Sequence, residues 1–212
     1  MHLQLSPFVN SVKPNGAEVF EPLGSGVVFD DYGHVVTNYH VIGKYILDKT
    51  GAAGIKVVVE RPDGTDAMRD LAVLSITDGA PPELRPLPLA ASGALKVGQS
   101  VYALGARYGE GKSLSAGVVS GLERAIPAPT GTRIYGVIQT DASINAINSG
   151  GALVDSFGNL VGLSTAIFTN KSTGRGSGVS FALPTEMLRE VVPNLIVYGS
   201  ASGRGVRGAT PS

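Results

Sequence analysis

The sequence predicts an all-β protein of many short strands, in a barrel or sandwich architecture. Three observations lead there. Apolar and polar residues alternate with a period of two through most of the chain, the pattern of half-buried strands. The 212 residues include 29 glycines and 13 prolines, a supply of turn points. Helical periodicity is confined to two short segments.

The elements follow in order. The stretch GSGVVFDDYGHVVTNYHVI, 24–42, reads as strand Val27–Phe29, turn Asp30–Gly33 and strand His34–Asn38, with Asp-Tyr-Gly as the hairpin signal. A short helix is expected at Tyr39–Leu47. Further strands are expected at Ile55–Glu60, Leu71–Ile76, Ser100–Leu104, Ser115–Ser120, Gly136–Asp141, Ala152–Asp155, Leu160–Phe168 and Gly178–Ala182. Turns fall at Pro62–Gly64, Asp78-Gly79, Asn159 and Lys171–Gly176. The proline-rich stretch Pro81–Gly98 reads as a linker between two β-subdomains. A second helix, Thr185–Val192, opens after Pro184 and is expected to stop at Pro193. The division is therefore an N-terminal segment 1–23, a first barrel 24–80, the linker 81–98, a second barrel with its helix 99–198, and a disordered Gly/Ser-rich tail 199–212.

Composition excludes several classes. Lys plus Arg and Asp plus Glu both number 17, so no global field points to nucleic acid. No apolar run is long enough for a spanning helix, and Met1–Gln4 does not begin a targeting peptide. The absence of cysteine removes disulfides, thiolate catalysis and cysteine-ligated zinc. The histidines His2, His34 and His40 have no metal-site spacing, and no cofactor is expected.

The chemistry-bearing residues are His40 in VVTNYHVI, Asp70 in RDLAVLSI and Ser149 in Asn148-Ser149-Gly150-Gly151. Each alone has a plain structural reading, as a half-buried histidine, a strand-start aspartate and a turn serine. Together they have the order His, Asp, Ser of the chymotrypsin-type triad, with the serine in the other β-subdomain. A cleft between two barrels would unite them. A ligand-binding β-sandwich would not need all three.

Seven segments make the pattern specific: GSGVVFDDYGHVVTNYHVI, DLAVLSI, VGQSVYALG, LSAGVVSGLER, IQTDASIN, NSGGALVDSFGNLVGLSTAIF and SGVSFALP. In this order they resemble the HtrA/Deg family of serine endopeptidases, over residues 24–198. The ending VVPNLIVYG resembles the chloroplast members that lack a PDZ domain. The resemblance implies two six-stranded-type antiparallel barrels of chymotrypsin-like fold with a C-terminal helix. It implies His40 as general base, Asp70 as its orienter and Ser149 as nucleophile, with the Ile147 and Ser149 N–H groups as oxyanion donors. Substrate contacts are implied for Ile144, Asn148, Leu163, Ser164, Thr165 and Ala166. Ile144, Leu163 and Thr165 would line an apolar S1 pocket, and the strand Leu160–Phe168 would pair with substrate backbone. The implied substrates are unfolded or damaged proteins, the implied assembly is trimer-based with Deg paralogues, and the implied compartment is the thylakoid lumen. Nucleic-acid binding is not expected. The alternative is a weak or inactive binding and assembly subunit of a Deg complex.

Three departures from the family pattern carry expectations. Ile147 replaces a glycine, and a β-branched residue resists positive φ. The Ile147 N–H is therefore expected to turn away, leaving the oxyanion loop non-productive. Too few residues separate Gly64 from Leu71 for a further strand, so the first barrel is expected to lack one. Leu71–Ile76 would then pair directly with Ile55–Glu60 and leave an exposed edge. Ala106-Arg107 stands where the family has Asn-Pro, a change nothing in the sequence explains.

Overall fold

A computed structural model describes residues 2–5, 11–12, 18–19, 24–46, 61–76, 85–91, 93, 95–106, 112–146, 148–165 and 178–200. The expected strand Ile55–Glu60, the turns at 78–79 and 171–176, and the tail from 201 onward lie outside them. The strands are β1 (His2–Leu5), β2 (Ser11–Val12), β3 (Glu18–Val19), β4 (Gly24–Val28), β5 (His34–Thr37), β6 (Arg61–Asp66) and β7 (Leu71–Ser75), followed by β8 (Ser100–Ala106), β9 (Lys112–Pro127), β10 (Arg133–Thr140), β11 (Ala152–Asp155), β12 (Leu160–Thr165) and β13 (Ser180–Pro184). Helix α1 spans Tyr39–Ile46 and α2 spans Thr185–Tyr198.

Two antiparallel sheets carry the fold, as the all-β expectation required. The first has the order β1-β4-β5-β7-β6, and the second closes as a six-stranded barrel, β10-β13-β12-β11-β8-β9. The first sheet also takes in His2–Leu5, paired with β4, which the sequence reading left outside the barrel. β9 runs 16 residues, far beyond the expected Ser115–Ser120. Its first half pairs with β8 and its second with β10, and one long bent strand thereby serves two neighbours. Such a strand helps a small sheet curl into closure.

The expected turn at Pro62–Gly64 is instead part of a strand. β6 pairs with β7 from Arg61↔Ser75 to Asp66↔Leu71, with a register shift between Pro62 and Gly64. A bulge on an edge strand is where a sheet tolerates proline and glycine. The six residues before Leu71 therefore supply the end of a strand and a tight turn, Ala67–Asp70. β7 has β5 on one side and β6 on the other, and the expected partner strand, Ile55–Glu60, lies outside the described residues. Among the described residues the first sheet has five strands, one fewer than the closed barrel.

Helix α2 passes through Pro193 and ends at Gly199, a left-handed cap with φ 68°. The expected stop at Pro193 fails because the apolar stripe continues beyond it. Leu188, Val191, Val192 and Leu195 are all buried. Burying Leu195 outweighs the one backbone donor that proline lacks. The larger core joins Val27, Val36, Leu71 and Val73 of the first sheet to Val137, Ala152 and Leu183 of the barrel and to this face of α2. A smaller cluster holds Val101, Ala103, Val119, Ile138, Leu153 and Val161, all from barrel strands. Of the linker, residues 85–91 run alongside β12, with Leu160 N–H donating to the Pro88 carbonyl and Ala90 N–H to the Leu160 carbonyl.

β6 lies against the end of α2. A Cβ placed at Gly64 would come within 2.6 Å of the Leu195 carbonyl oxygen. The Leu195 side chain is fully buried in the larger core, so Leu195→Ala should cost about 2–5 kcal/mol in chemical denaturation.

Candidate active site

Two backbone features deliver the base and its carboxylate. β5 ends at Thr37, and His40 follows in the first turn of α1. Asp70 ends the turn between β6 and β7 with φ 56°, a left-handed conformation that costs about 1–2 kcal/mol without a glycine. Its carbonyl is held there by Tyr39 N–H at 3.1 Å and by Asn38 Nδ2 at 3.1 Å.

The Asp70 carboxylate is fully buried and well supplied with donors. Oδ1 accepts the His40 backbone N–H at 2.9 Å, as a helix-capping acceptor would. Oδ2 lies 2.7 Å from His40 Nδ1 and accepts the Thr165 hydroxyl at 3.3 Å. An acceptor at Nδ1 places the ring proton there and leaves Nε2 as the basic nitrogen. Ser149 Oγ lies 3.0 Å from that Nε2. The His40 side chain is 30% exposed while that of Asp70 is 0% exposed, so the imidazole meets solvent and the carboxylate does not.

The serine loop is a single braced turn. Asn145 N–H donates to Asn148 Oδ1 at 2.6 Å, and Asn148 N–H donates to Asn145 Oδ1 at 3.2 Å. This reciprocity is the logic of a capping box, built here from two asparagines. Ser149 N–H completes the turn by donating to the Asn145 carbonyl at 3.0 Å. Ile147, and with it the expectation for its N–H, lies outside the described residues, as does Ala166. After the serine, Gly150 adopts φ 80°, and the Ser149 carbonyl accepts Ser25 N–H from β4 at 2.8 Å. The serine loop is thus stitched to the first sheet.

The structure unites His40, Asp70 and Ser149 and gives the expected substrate-contact residues other neighbours as well. Asn148 is buried, and its Nδ2 donates to the Ser143 carbonyl at 3.1 Å, so its side chain braces the loop from within. Thr165 is also buried and turned to Asp70. Leu163 belongs to the larger core cluster and Ile144 to the smaller. Leu163 packs in the core and Thr165 bonds the carboxylate, directions that apolar character alone does not specify. Ser164 is fully buried, with a hydroxyl that has no hydrogen-bond partner, and its backbone bonds Gly150 and Gly151. Within Leu160–Thr165, β11 pairs with the residues from Leu160 to Leu163 and β13 with those from Gly162 to Thr165. The part of that expected strand beyond Thr165 lies outside the described residues.

Sequence reasoning missed Asn38. Its amide oxygen accepts the Ser149 hydroxyl at 3.1 Å, and the residue is 0% exposed. The only signal was an asparagine two positions before a candidate base, which reads more simply as a helix cap. No cluster of metal-ligating residues occurs among the described residues.

Comparisons with known proteins show the family. The trypsin-like peptidase domain family matches residues 24–163. Chloroplastic Protease Do-like 5 of Arabidopsis thaliana is 49% identical over 193 residues, covering 85% of this chain and 59% of the relative. Periplasmic serine endoprotease DegP of Escherichia coli K12 is 36% identical over 201 residues, covering 92% of this chain and 41% of DegP. The chain thus spans about half the length of these curated relatives. The crystal structure of Deg5 superposes with a TM-score of 0.72 at 39% identity, over 94% of this chain and 90% of that one. The HtrA-type protease AlgW with a decapeptide gives 0.74 at 30% identity, over 94% of this chain and 65% of that one. The chain therefore belongs to the trypsin-like peptidase family, as a homologue of the Deg/HtrA proteases.

Proposed function

We propose that this protein is a serine endopeptidase of the Deg type. One observation carries the reading: His40 Nε2 lies 3.0 Å from Ser149 Oγ while Asp70 Oδ2 lies 2.7 Å from the other ring nitrogen. His40 takes the hydroxyl proton as Ser149 attacks the peptide carbonyl, and gives it to the leaving amine. Asp70 holds the ring in the required tautomer and stabilises the imidazolium that forms. Thr165 and the His40 N–H keep the carboxylate in place. The proposed substrates are unfolded or damaged proteins, and the proposed setting is the chloroplast thylakoid lumen, in trimer-based assemblies with Deg paralogues.

The loop bond from Ser149 N–H to Asn145 makes this a resting arrangement. An oxyanion needs that N–H, so substrate must exchange the bond before the site can stabilise a tetrahedral intermediate. The same bond favours a second reading, a binding and assembly subunit whose loop stays closed. A fluorophosphonate probe separates the two. Labelling of the wild-type chain, abolished by Ser149→Ala, supports the endopeptidase. A folded wild type that takes no label supports the assembly subunit.

A further inference from the structure

We propose that Asn38 is a positioning residue that stabilises the unreacted serine against acylation. This rests on the endopeptidase reading. The Asn38 carboxamide spans the site: Nδ2 donates to the Asp70 carbonyl at 3.1 Å and Oδ1 accepts the Ser149 hydroxyl at 3.1 Å. Its orientation is determined by its neighbours, because a flipped amide would set Oδ1 against a carbonyl oxygen. The side chain is released from capping α1, since Asp70 Oδ1 receives the His40 N–H and the Asn38 carbonyl receives Val41 N–H at 3.2 Å.

The Ser149 hydroxyl has one hydrogen and two acceptors, His40 Nε2 at 3.0 Å and Asn38 Oδ1 at 3.1 Å. Acylation forms the Oγ–C bond, breaks the scissile C–N bond and moves that hydrogen as a proton through His40 to the leaving amine. Hydrolysis adds water oxygen to the acyl carbon, breaks Oγ–C and returns a proton through His40 to Oγ. Between these events Ser149 Oγ carries no hydrogen. Asn38 Oδ1 is then left without its donor, facing an ester oxygen in a site where Asn38 is fully buried. A stranded buried acceptor penalises the acyl-enzyme and both flanking transition states relative to the free enzyme. Asn38 therefore restrains the first step and leaves the second nearly untouched.

The test uses the full chain and two variants. Asn38→Leu keeps the volume, and Asn38→Ala demands no space; in both, Tyr39 N–H remains on the Asp70 carbonyl. The expected result is fluorophosphonate labelling about tenfold to a hundredfold faster than wild type. On a p-nitrophenyl ester, kcat should stay within about twofold while KM falls by a similar factor, because acyl hydrolysis starts and passes through states that equally lack the hydrogen. A purely structural role would slow labelling and leave no such split. Labelling at or below the wild-type rate in either cooperatively melting variant overturns the proposal, with the endopeptidase reading intact if the wild type labels. A wild type that takes no label overturns that reading and this proposal together.

Discussion

Asp70→Asn should reduce kcat/KM on a peptide substrate by roughly 10⁴ while the protein still folds. An asparagine fits the space, but its amide offers one oxygen where the carboxylate offers two. Asp70 uses both, Oδ1 for the His40 N–H and Oδ2 for the ring. If the new oxygen takes the N–H, the new NH₂ faces Nδ1 and turns it into an acceptor. The ring proton then moves to Nε2, which can no longer accept from Ser149. The backbone bonds from Tyr39 N–H and Asn38 Nδ2 to the residue 70 carbonyl persist. The loss of stability should therefore be modest, about 1 kcal/mol, as for a weakened cap. Parallel measurement of kcat/KM and melting temperature checks both halves. A loss of activity below about tenfold would show that Asp70 does not set the tautomer.

Gly150→Ala should be the most damaging single methyl addition near the site. Its φ of 80° disfavours any side chain. A Cβ there would also run into the Ser25 carbonyl oxygen and the Thr37 hydroxyl, two groups already bonded to each other at 2.7 Å. Neither is the free end of a flexible chain. Strain and overlap together should cost about 3 kcal/mol or more, a fall of roughly 6–12 °C in Tm for a chain of this size. Activity at low temperature should fall as well, because Ser149 cannot hold its position while its neighbour is displaced. A Tm within about 2 °C of wild type would contradict the packing described here.

The site was largely legible because its residues sit where local signals are strong. His40 follows an alternating strand that a hairpin signal places, and Ser149 lies in a glycine-marked bend. What escaped the sequence was decided by tertiary context. Pro62 and Gly64 carry turn chemistry, yet an edge strand with a bulge accepts both. Pro193 signals a helix stop, yet Leu195 beyond it is buried and keeps α2 going. Thr165 and Leu163 read as pocket residues because apolar or small side chains near a serine invite that reading. Only the folded chain shows that Thr165 meets Asp70 while Leu163 packs in the core. Asn38 was hidden for a related reason: its partners, Asp70 and Ser149, come from a distant turn and from the other sheet.

The stitching of Ser149 to β4 has an implication for how such a protein can change over time. Ser25 N–H bonds the Ser149 carbonyl, and Gly150 fits closely against Ser25 and Thr37. The nucleophile is therefore also a seam residue between the two halves of the molecule. A mutation that shifts one half against the other displaces the serine at once, through the bond between Ser25 and Ser149. Selection for cleavage and selection for a well-seated interface then act on the same few atoms. A lineage that gives up catalysis loses one of the two constraints on this loop, and substitutions should gather there before they reach the core of either sheet.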